Sequence, residues 1–248
     1  MKFLSAVIAA ILLGANGASA TGLACGALLA GPPSAAIQPR ERVADNAYRH
    51  RGEMLQRLAR DQVSDLVFIG DSITMRWHRP TWASLFEAYR PLNLGMSGDQ
   101  TENVLWRLQN GHLPRLQPRL YVLLIGTNNP HPAREVAAGV AMIVQFLRQT
   151  SPNSHVLVLG VLPRGADPRN SGRAKNAAVN ALIRTCADNV YVHFLDVSAD
   201  FVEPDGTISA ETMPDGLHLS PASYERLGQA IYPTIRHLMA LPRASLRQ

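Results

Sequence analysis

Short apolar runs alternate with longer amphipathic stretches along most of the chain. In each run the apolar residues are consecutive rather than alternating, which is typical of strands that are covered on both faces. Five such runs are predicted to be strands: Leu66–Ile69, Leu92–Leu94, Leu120–Ile125, Val156–Leu162 and Tyr191–Leu195.

The stretches between and after these runs predict helices. Val136, Val140 and Val144 recur at helical spacing behind Pro132, and proline suits the start of a helix. Other helices are predicted at about 42–60 and 174–187, and a last one begins at Ser220-Pro221. The alternation of strand and helix predicts an α/β protein, a three-layer α/β/α fold with a central, mostly parallel five-stranded sheet.

The N-terminal 40 residues differ in composition from the rest. Lys2 precedes an apolar stretch, and the small residues Ala18-Ser19-Ala20 follow it, as in a signal peptide. A stretch rich in Gly, Ala and Pro comes next. We therefore predict export to the periplasm or the medium. The predicted organisation is a signal peptide at 1–20, a flexible linker at 21–40, one domain at 41–241 and a C-terminal tail at 242–248.

The chain has two cysteines. Gly22-Leu23-Ala24-Cys25 is similar to a lipoprotein cleavage box, so a lipid anchor at Cys25 is the alternative to cleavage after Ala20. Cys186 lies in a helical pattern and is predicted to be a small buried apolar side chain. A disulfide between the two cysteines, in an oxidising compartment, is left open.

The formal net charge is +5, and arginine supplies nearly all of the positive charge because the only lysines are Lys2 and Lys175. These arginines are scattered and are not interleaved with aromatic residues, so a basic solvated surface is favoured and no nucleic-acid partner is expected. Arg164, Arg169 and Arg173 are interpreted as part of a water-exposed loop, in preference to a site for an anionic substrate group.

Trp77 and Trp82 are predicted to pack in the core.

Candidate chemistry follows the strands. Gly70-Asp71-Ser72 comes directly after the first strand, where a serine hydroxyl is presented on a sharp turn. Asp215 and His218 are three residues apart, so one turn can hold the carboxylate against the imidazole. Gly98 and Asn128 also follow strands and can donate N–H groups, with the Ser72 amide, to an oxyanion.

Each of these pieces alone is most often a turn or a helix cap. Their joint occurrence at strand ends favours catalysis by Ser72 as nucleophile, His218 as base and Asp215 as its orienting carboxylate. A nucleotide-binding protein is disfavoured because no Gly-x-Gly-x-x-Gly opens the first helix. A non-catalytic carbohydrate- or lipid-binding module remains the alternative.

The chain resembles the SGNH (GDSL-type) hydrolases. Their four blocks match Gly70-Asp71-Ser72, Gly98 in Asn93–Asp99, Asn128 in Gly126–Asn129, and Asp215 to His218. The segments at 103–108, 162–165, 176–180 and 205–209 resemble the platelet-activating-factor acetylhydrolase catalytic subunits and their bacterial esterase relatives.

This resemblance implies the flavodoxin-like SGNH fold, with Ser72, Gly98 and Asn128 forming the oxyanion hole. It also implies a small acyl pocket lined by Ile73, Thr127 and Leu217. No metal or organic cofactor is implied. The predicted activity is a serine esterase acting on short acyl groups, O-acetyl above all, of a small-molecule or glycan ester. A homodimer is compatible with the resemblance.

Overall fold

A computed structural model describes residues 25–42, 48–49, 51–53, 55, 63–112 and 116–242. The predicted signal peptide at 1–20 and nearly all of the predicted tail at 242–248 lie outside these residues. Within the described part, residues 48–49, 51–53 and 55 are helical, inside the stretch where a helix over 42–60 was predicted.

The central sheet has five strands, all parallel, in the order β2-β1-β3-β4-β5. Their bounds are β1 Leu66–Gly70, β2 Pro91–Asn93, β3 Leu120–Leu124, β4 His155–Leu159 and β5 Val192–Leu195. Every residue of β1, β3 and β4 is buried, as consecutive apolar runs require. The predicted five-stranded parallel sheet is confirmed, with strand ends that shift by up to three residues.

Besides the helical residues between 48 and 55, seven α-helical segments accompany the sheet in the described residues. They are α1 Gly26–Leu29, α2 Ser72–Met75, α3 Arg79–Phe86, α4 Thr101–Arg107, α5 Ala133–Thr150, α6 Ser171–Ile183 and α7 Pro221–Ala240. A π-helical turn spans Leu108–His112, and 3₁₀ turns lie at Ala35–Ile37, Glu87–Tyr89, Arg184–Cys186 and Ser198–Phe201.

Each face of the sheet has its own apolar core, because successive strand side chains point to opposite faces. Val67 and Ile69 of β1 join the core that contains residues of α4, α5 and α6. Leu66 and Phe68 join the core that contains residues of α3 and α7. The three-layer arrangement is thus built from the alternation of side chains along single strands.

None of the helices in the described residues combines the length and apolarity that a membrane span needs.

Residues 25–40, the described part of the linker predicted at 21–40, pack against the domain. Leu28 and Ala36 are buried, and the Thr101 hydroxyl donates to the Ala36 carbonyl at 3.0 Å. Gly139 of α5 permits this approach, since a Cβ there would lie 2.7 Å from the Ala36 carbonyl oxygen. Residues rich in Gly, Ala and Pro can pack closely against a helix, so their composition did not distinguish a strap from a linker.

A disulfide joins Cys25 to Cys186 across a sequence separation of 161 residues. Cys186 ends the 3₁₀ turn after α6 and is buried, as predicted from the helical pattern. The start of the segment 25–42 is therefore fixed covalently to the turn after α6, within one apolar core. We refer to residues 25–42 as the N-terminal strap.

Candidate active site

The nucleophile candidate is presented by the tight turn between β1 and α2. A Cβ on Gly70 would lie 2.3 Å from the Leu124 carbonyl oxygen, so only glycine fits where β1 passes β3 and turns. Asp71 caps α2 by accepting the Ile73 backbone N–H at 2.9 Å. Ser72 is then the first residue of α2, and the serine is largely buried.

The loop before α7 brings the imidazole to this serine. His218 Nε2 lies 2.9 Å from Ser72 Oγ, and His218 Nδ1 lies 2.6 Å from Asp215 Oδ2. The other carboxylate oxygen, Oδ1, accepts the backbone N–H groups of Leu217 and His218. The structure therefore joins all three residues that the sequence predicted as the Ser–His–Asp set.

The Asp215 carboxylate is stabilised in its charged form. The hydrogen bond from the His218 ring lowers the pKa of Asp215 to about 2, and the backbone N–H of His218 adds to this effect. An ionised carboxylate accepts the Nδ1 proton and leaves Nε2 free to accept the serine proton. The arrangement can thus activate Ser72 Oγ as a nucleophile.

The Asn128 side chain contacts the loop that follows β2 and carries Gly98. Gly98 has a φ of +76°, a conformation that favours glycine. Asn128 Nδ2 donates to the Asp99 carbonyl at 3.1 Å, which joins the loop after β3 to the Gly98 loop. The Asn128 amide nitrogen carries a second hydrogen that can serve an oxyanion. Ser72 lies in the first turn of α2, where backbone N–H groups have no acceptor within the helix.

Asp71 is a buried carboxyl next to the nucleophile. Desolvation raises the pKa of Asp71 to about 7, and the N–H of Ile73 opposes this effect only in part. The nearby Asp99 carboxylate raises the pKa further. Burial therefore favours the neutral form of the carboxyl adjacent to Ser72.

The three residues predicted for the acyl pocket have different surroundings. Ile73 is buried in the core that α7 covers, and Leu217 packs at the edge of the same core. Thr127 lies in the loop after β3, and its hydroxyl accepts from Asn176 Nδ2 at 3.2 Å. Ile73 and Leu217 therefore belong to one apolar core and are the sequence neighbours of Ser72 and His218, while the acyl-pocket role of all three stays a prediction.

The predicted water-exposed loop of arginines is wrong for two of its three members. Arg164 is half-buried and donates to the Thr127 carbonyl at 2.8 Å, and Arg173 donates to the Gly165 carbonyl at 2.5 Å. Arg169 alone is exposed, paired with Asp167. The sequence did not reveal the burial of Arg164 and Arg173 because their partners are backbone carbonyls, which leave no residue pattern.

Loop-to-loop hydrogen bonds link the separate parts of the site. The Gly165 N–H donates to the Gly216 carbonyl at 2.6 Å, between Asp215 and His218. Asn176 joins Thr127 to the Leu162 carbonyl. Asn176 and Asn180 belong to the segment 176–180 of the resemblance, and their burial on α6 is the feature that sequence alone did not reveal.

Trp77 packs in an aromatic cluster with Phe68, Phe86 and Tyr224, which confirms its predicted core position. Trp82, predicted to pack in the core as well, is only partly buried at the edge of the same cluster. The Tyr224 hydroxyl of α7 donates to the Ile73 carbonyl at 2.7 Å and so ties α2 to the last helix.

Among the residues that the structure describes, no cluster of three or more His, Cys, Asp or Glu side chains has metal-binding geometry.

Comparison with known proteins places this geometry in a family. Residues 68–226 match the model of the GDSL-like lipase/acylhydrolase family. The chain belongs to this family. It is also 42% identical over 185 residues to human platelet-activating factor acetylhydrolase IB subunit alpha1, covering 73% of this chain and 80% of that protein.

Solved structures share the fold of this family member. A GDSL-like lipase from Bacteroides thetaiotaomicron has a TM-score of 0.64 and 22% identity, covering 77% of this chain and 97% of the other. An acetylxylan esterase from Geobacillus stearothermophilus has a TM-score of 0.57 and 18% identity, covering 74% and 97%. Family and fold together support hydrolysis of ester bonds by this acylhydrolase.

Proposed function

We propose that the chain is an exported serine esterase that removes short acyl groups, in particular O-acetyl groups, from a small-molecule or glycan ester. The observation that carries the proposal is the continuous pair of contacts from Ser72 Oγ to His218 Nε2 and from His218 Nδ1 to Asp215 Oδ2. A non-catalytic binding module does not need an aligned proton acceptor.

The chemistry follows from these contacts. His218 Nε2 takes the Ser72 proton as Oγ forms a bond to the ester carbonyl carbon, and the carbonyl electrons move onto oxygen. The N–H groups of Gly98, Asn128 and Ser72 bind this oxyanion. The carbonyl re-forms, the alcohol leaves with the proton from His218, and an acyl-Ser72 remains. Water, deprotonated by His218, then releases the carboxylic acid and regenerates the hydroxyl.

The acetyl preference is supported by two kinds of relative. One relative is a platelet-activating factor acetylhydrolase subunit, and one structural neighbour is an acetylxylan esterase. The small acyl pocket that the resemblance implies at Ile73, Thr127 and Leu217 also favours a short acyl group.

Export is supported by the Cys25–Cys186 disulfide, because such bonds persist in oxidising compartments. A sulfur in a disulfide cannot also form the thioether of a lipid anchor, so the two fates of Cys25 exclude each other. We propose cleavage after Ala20 and an unlipidated Cys25. The mass of the mature N-terminal peptide, recovered from fractionated cells under non-reducing conditions, distinguishes the two.

The test of activity uses a matched pair of serine variants. Ser72→Ala removes the nucleophile, whereas Ser84→Ala removes a hydroxyl from the exposed face of α3. We expect Ser72→Ala to lose p-nitrophenyl acetate hydrolysis and fluorophosphonate labelling, and Ser84→Ala to keep both. Full activity in Ser72→Ala refutes the serine mechanism.

The substrate class needs a separate panel. We expect acetyl esters to be cleaved faster than butyryl and octanoyl esters of the same alcohol. An acetylated xylo-oligosaccharide and an acetylated phospholipid then compare the two alcohol classes. Faster turnover of octanoyl than of acetyl esters contradicts the short-acyl preference, and binding without any turnover favours the binding module.

A further inference from the structure

The N-terminal strap ends against the loop that carries Gly98. Near its end, the Arg40 backbone N–H donates to the Glu102 carbonyl at 3.1 Å, and Asn103 Nδ2 donates to the Arg40 carbonyl at 3.1 Å. The Arg40 guanidinium also pairs with Glu102 Oε1 at 2.9 Å. These bonds to α4 fix the backbone two residues before Arg42.

Arg42 contacts the residues on either side of Gly98. Its Nη1 donates to the carbonyl of Ser97 and lies 4.0 Å from Asp99 Oδ1. A Cβ built on Gly98 would lie 2.7 Å from the same Nη1, so the guanidinium occupies the space where a side chain would stand. The guanidinium also lies over the Tyr48 ring, 4.9 Å from its centre. A side chain with this many partners has little freedom to leave the loop.

The Ser97 carbonyl and the Gly98 N–H belong to one peptide group. That group is planar and trans, so a hydrogen bond that fixes the direction of the carbonyl also fixes the direction of the N–H. A cationic donor on the carbonyl oxygen further polarises the peptide and strengthens its N–H as a donor. Glycine at 98 has broad conformational freedom and would otherwise let this peptide rotate.

We propose that Arg42 is a positioning residue of the oxyanion hole, which holds and polarises the Ser97–Gly98 peptide so that the Gly98 N–H faces the developing oxyanion. This inference rests on the proposed esterase function. Arg42 lies outside residues 68–226, which match the family model. The strap would thus supply a part of the active site that those matched residues lack.

Kinetics of matched arginine variants test the proposal. Arg42→Ala removes the contact to Ser97, whereas Arg40→Ala removes a strap guanidinium that donates to Gln100 and Glu102. Because loss of a whole oxyanion donor costs ~10²–10³-fold in rate, we expect a misplaced donor to lower kcat by about 10–100-fold. We expect KM to change little, Arg42→Lys to recover part of kcat, and Arg40→Ala to stay near wild type.

A structural role alone predicts a different pattern. In that case Arg42→Ala and Arg40→Ala lose similar thermal stability and similar small amounts of kcat, and equal kcat values overturn the proposal. If the wild type itself has no esterase activity, the proposed function fails instead. The inference then depends on the amide resonance of Gly98 in ¹⁵N-glycine-labelled protein. We expect Arg42→Ala to shift this resonance and Arg40→Ala to leave it in place, and an unshifted resonance in both overturns the proposal.

Discussion

The Cys25–Cys186 disulfide allows a quantitative prediction, because it closes a very long loop. Its two cysteines are separated by 161 residues. In the chain-entropy model a crosslink of that length removes about 17 cal/mol/K from the unfolded chain, or about 5 kcal/mol at 25 °C. For a domain of this size that corresponds to roughly 10–20 °C in melting temperature. The disulfide is therefore expected to contribute a large part of the net stability.

The perturbation is the double variant Cys25→Ala/Cys186→Ala, studied by urea unfolding with fluorescence of the tryptophans near Phe68 as the signal. Wild type unfolded in the presence of a thiol reductant provides an independent measurement of the same quantity. We expect both to lose about 5 kcal/mol relative to oxidised wild type. Because the variant has no disulfide, the reductant itself must not change its stability.

The result that refutes the reasoning is equally specific. If oxidised wild type, reduced wild type and the double variant unfold within about 1 kcal/mol of one another, the crosslink does not constrain the unfolded chain as the model requires. Two free thiols in the unfolded, unreduced wild type would show instead that the bond does not form. The lipidated alternative for Cys25 predicts one free thiol and an altered peptide mass.

Two further predictions concern the site itself. Asn128→Ala is expected to lower kcat by ~10²–10³-fold with a small change in KM. The control Asn110→Ala, at an exposed position in the turn after α4, is expected to keep the wild-type kcat and KM. Equal kinetics in the two variants contradict a role for Asn128 in the oxyanion hole. The pKa of Asp71 is raised from 3.8 to about 7. The stability that its protonated form contributes is therefore complete below about pH 4 and is lost as pH rises through about 7. The free energy of unfolding is expected to fall by on the order of 4 kcal/mol over this range. Asp71→Asn removes this dependence, and parallel stability curves for variant and wild type in urea from pH 4 to 8 would contradict it.

Local patterns in the sequence predicted most of the fold. Consecutive apolar residues at 66–69 and 120–125 predicted strands that are buried on both faces, because only a doubly covered strand needs apolar side chains at every position. The helical spacing from Val136 predicted α5, and Ser220-Pro221 predicted the start of α7. These features depend on neighbours within a few residues, which the sequence lists directly.

The candidate site was predictable to the extent that its chemistry is local. Asp215 and His218 share one turn, so their contact follows from spacing. Ser72 and His218 are 146 residues apart, and their 2.9 Å contact depends on the fold. The joint occurrence of these residues at strand ends predicted that pairing, and the resemblance to SGNH hydrolases implied it as well. Spacing alone would have left it a hypothesis.

The sequence by itself determined the strands, the long helices and the residue types that can carry acyl transfer, because each depends on short-range periodicity or on the chemistry of single side chains. Only the tertiary structure decided that the N-terminal strap packs on α5, that Cys25 pairs with Cys186 and that Arg42 holds the Ser97 carbonyl. The physical reason is that backbone carbonyls accept hydrogen bonds at every residue. A long-range bond to one of them therefore leaves no pattern in the amino-acid sequence. For the disulfide, the spacing of two cysteines along the chain likewise does not fix the distance between their sulfurs.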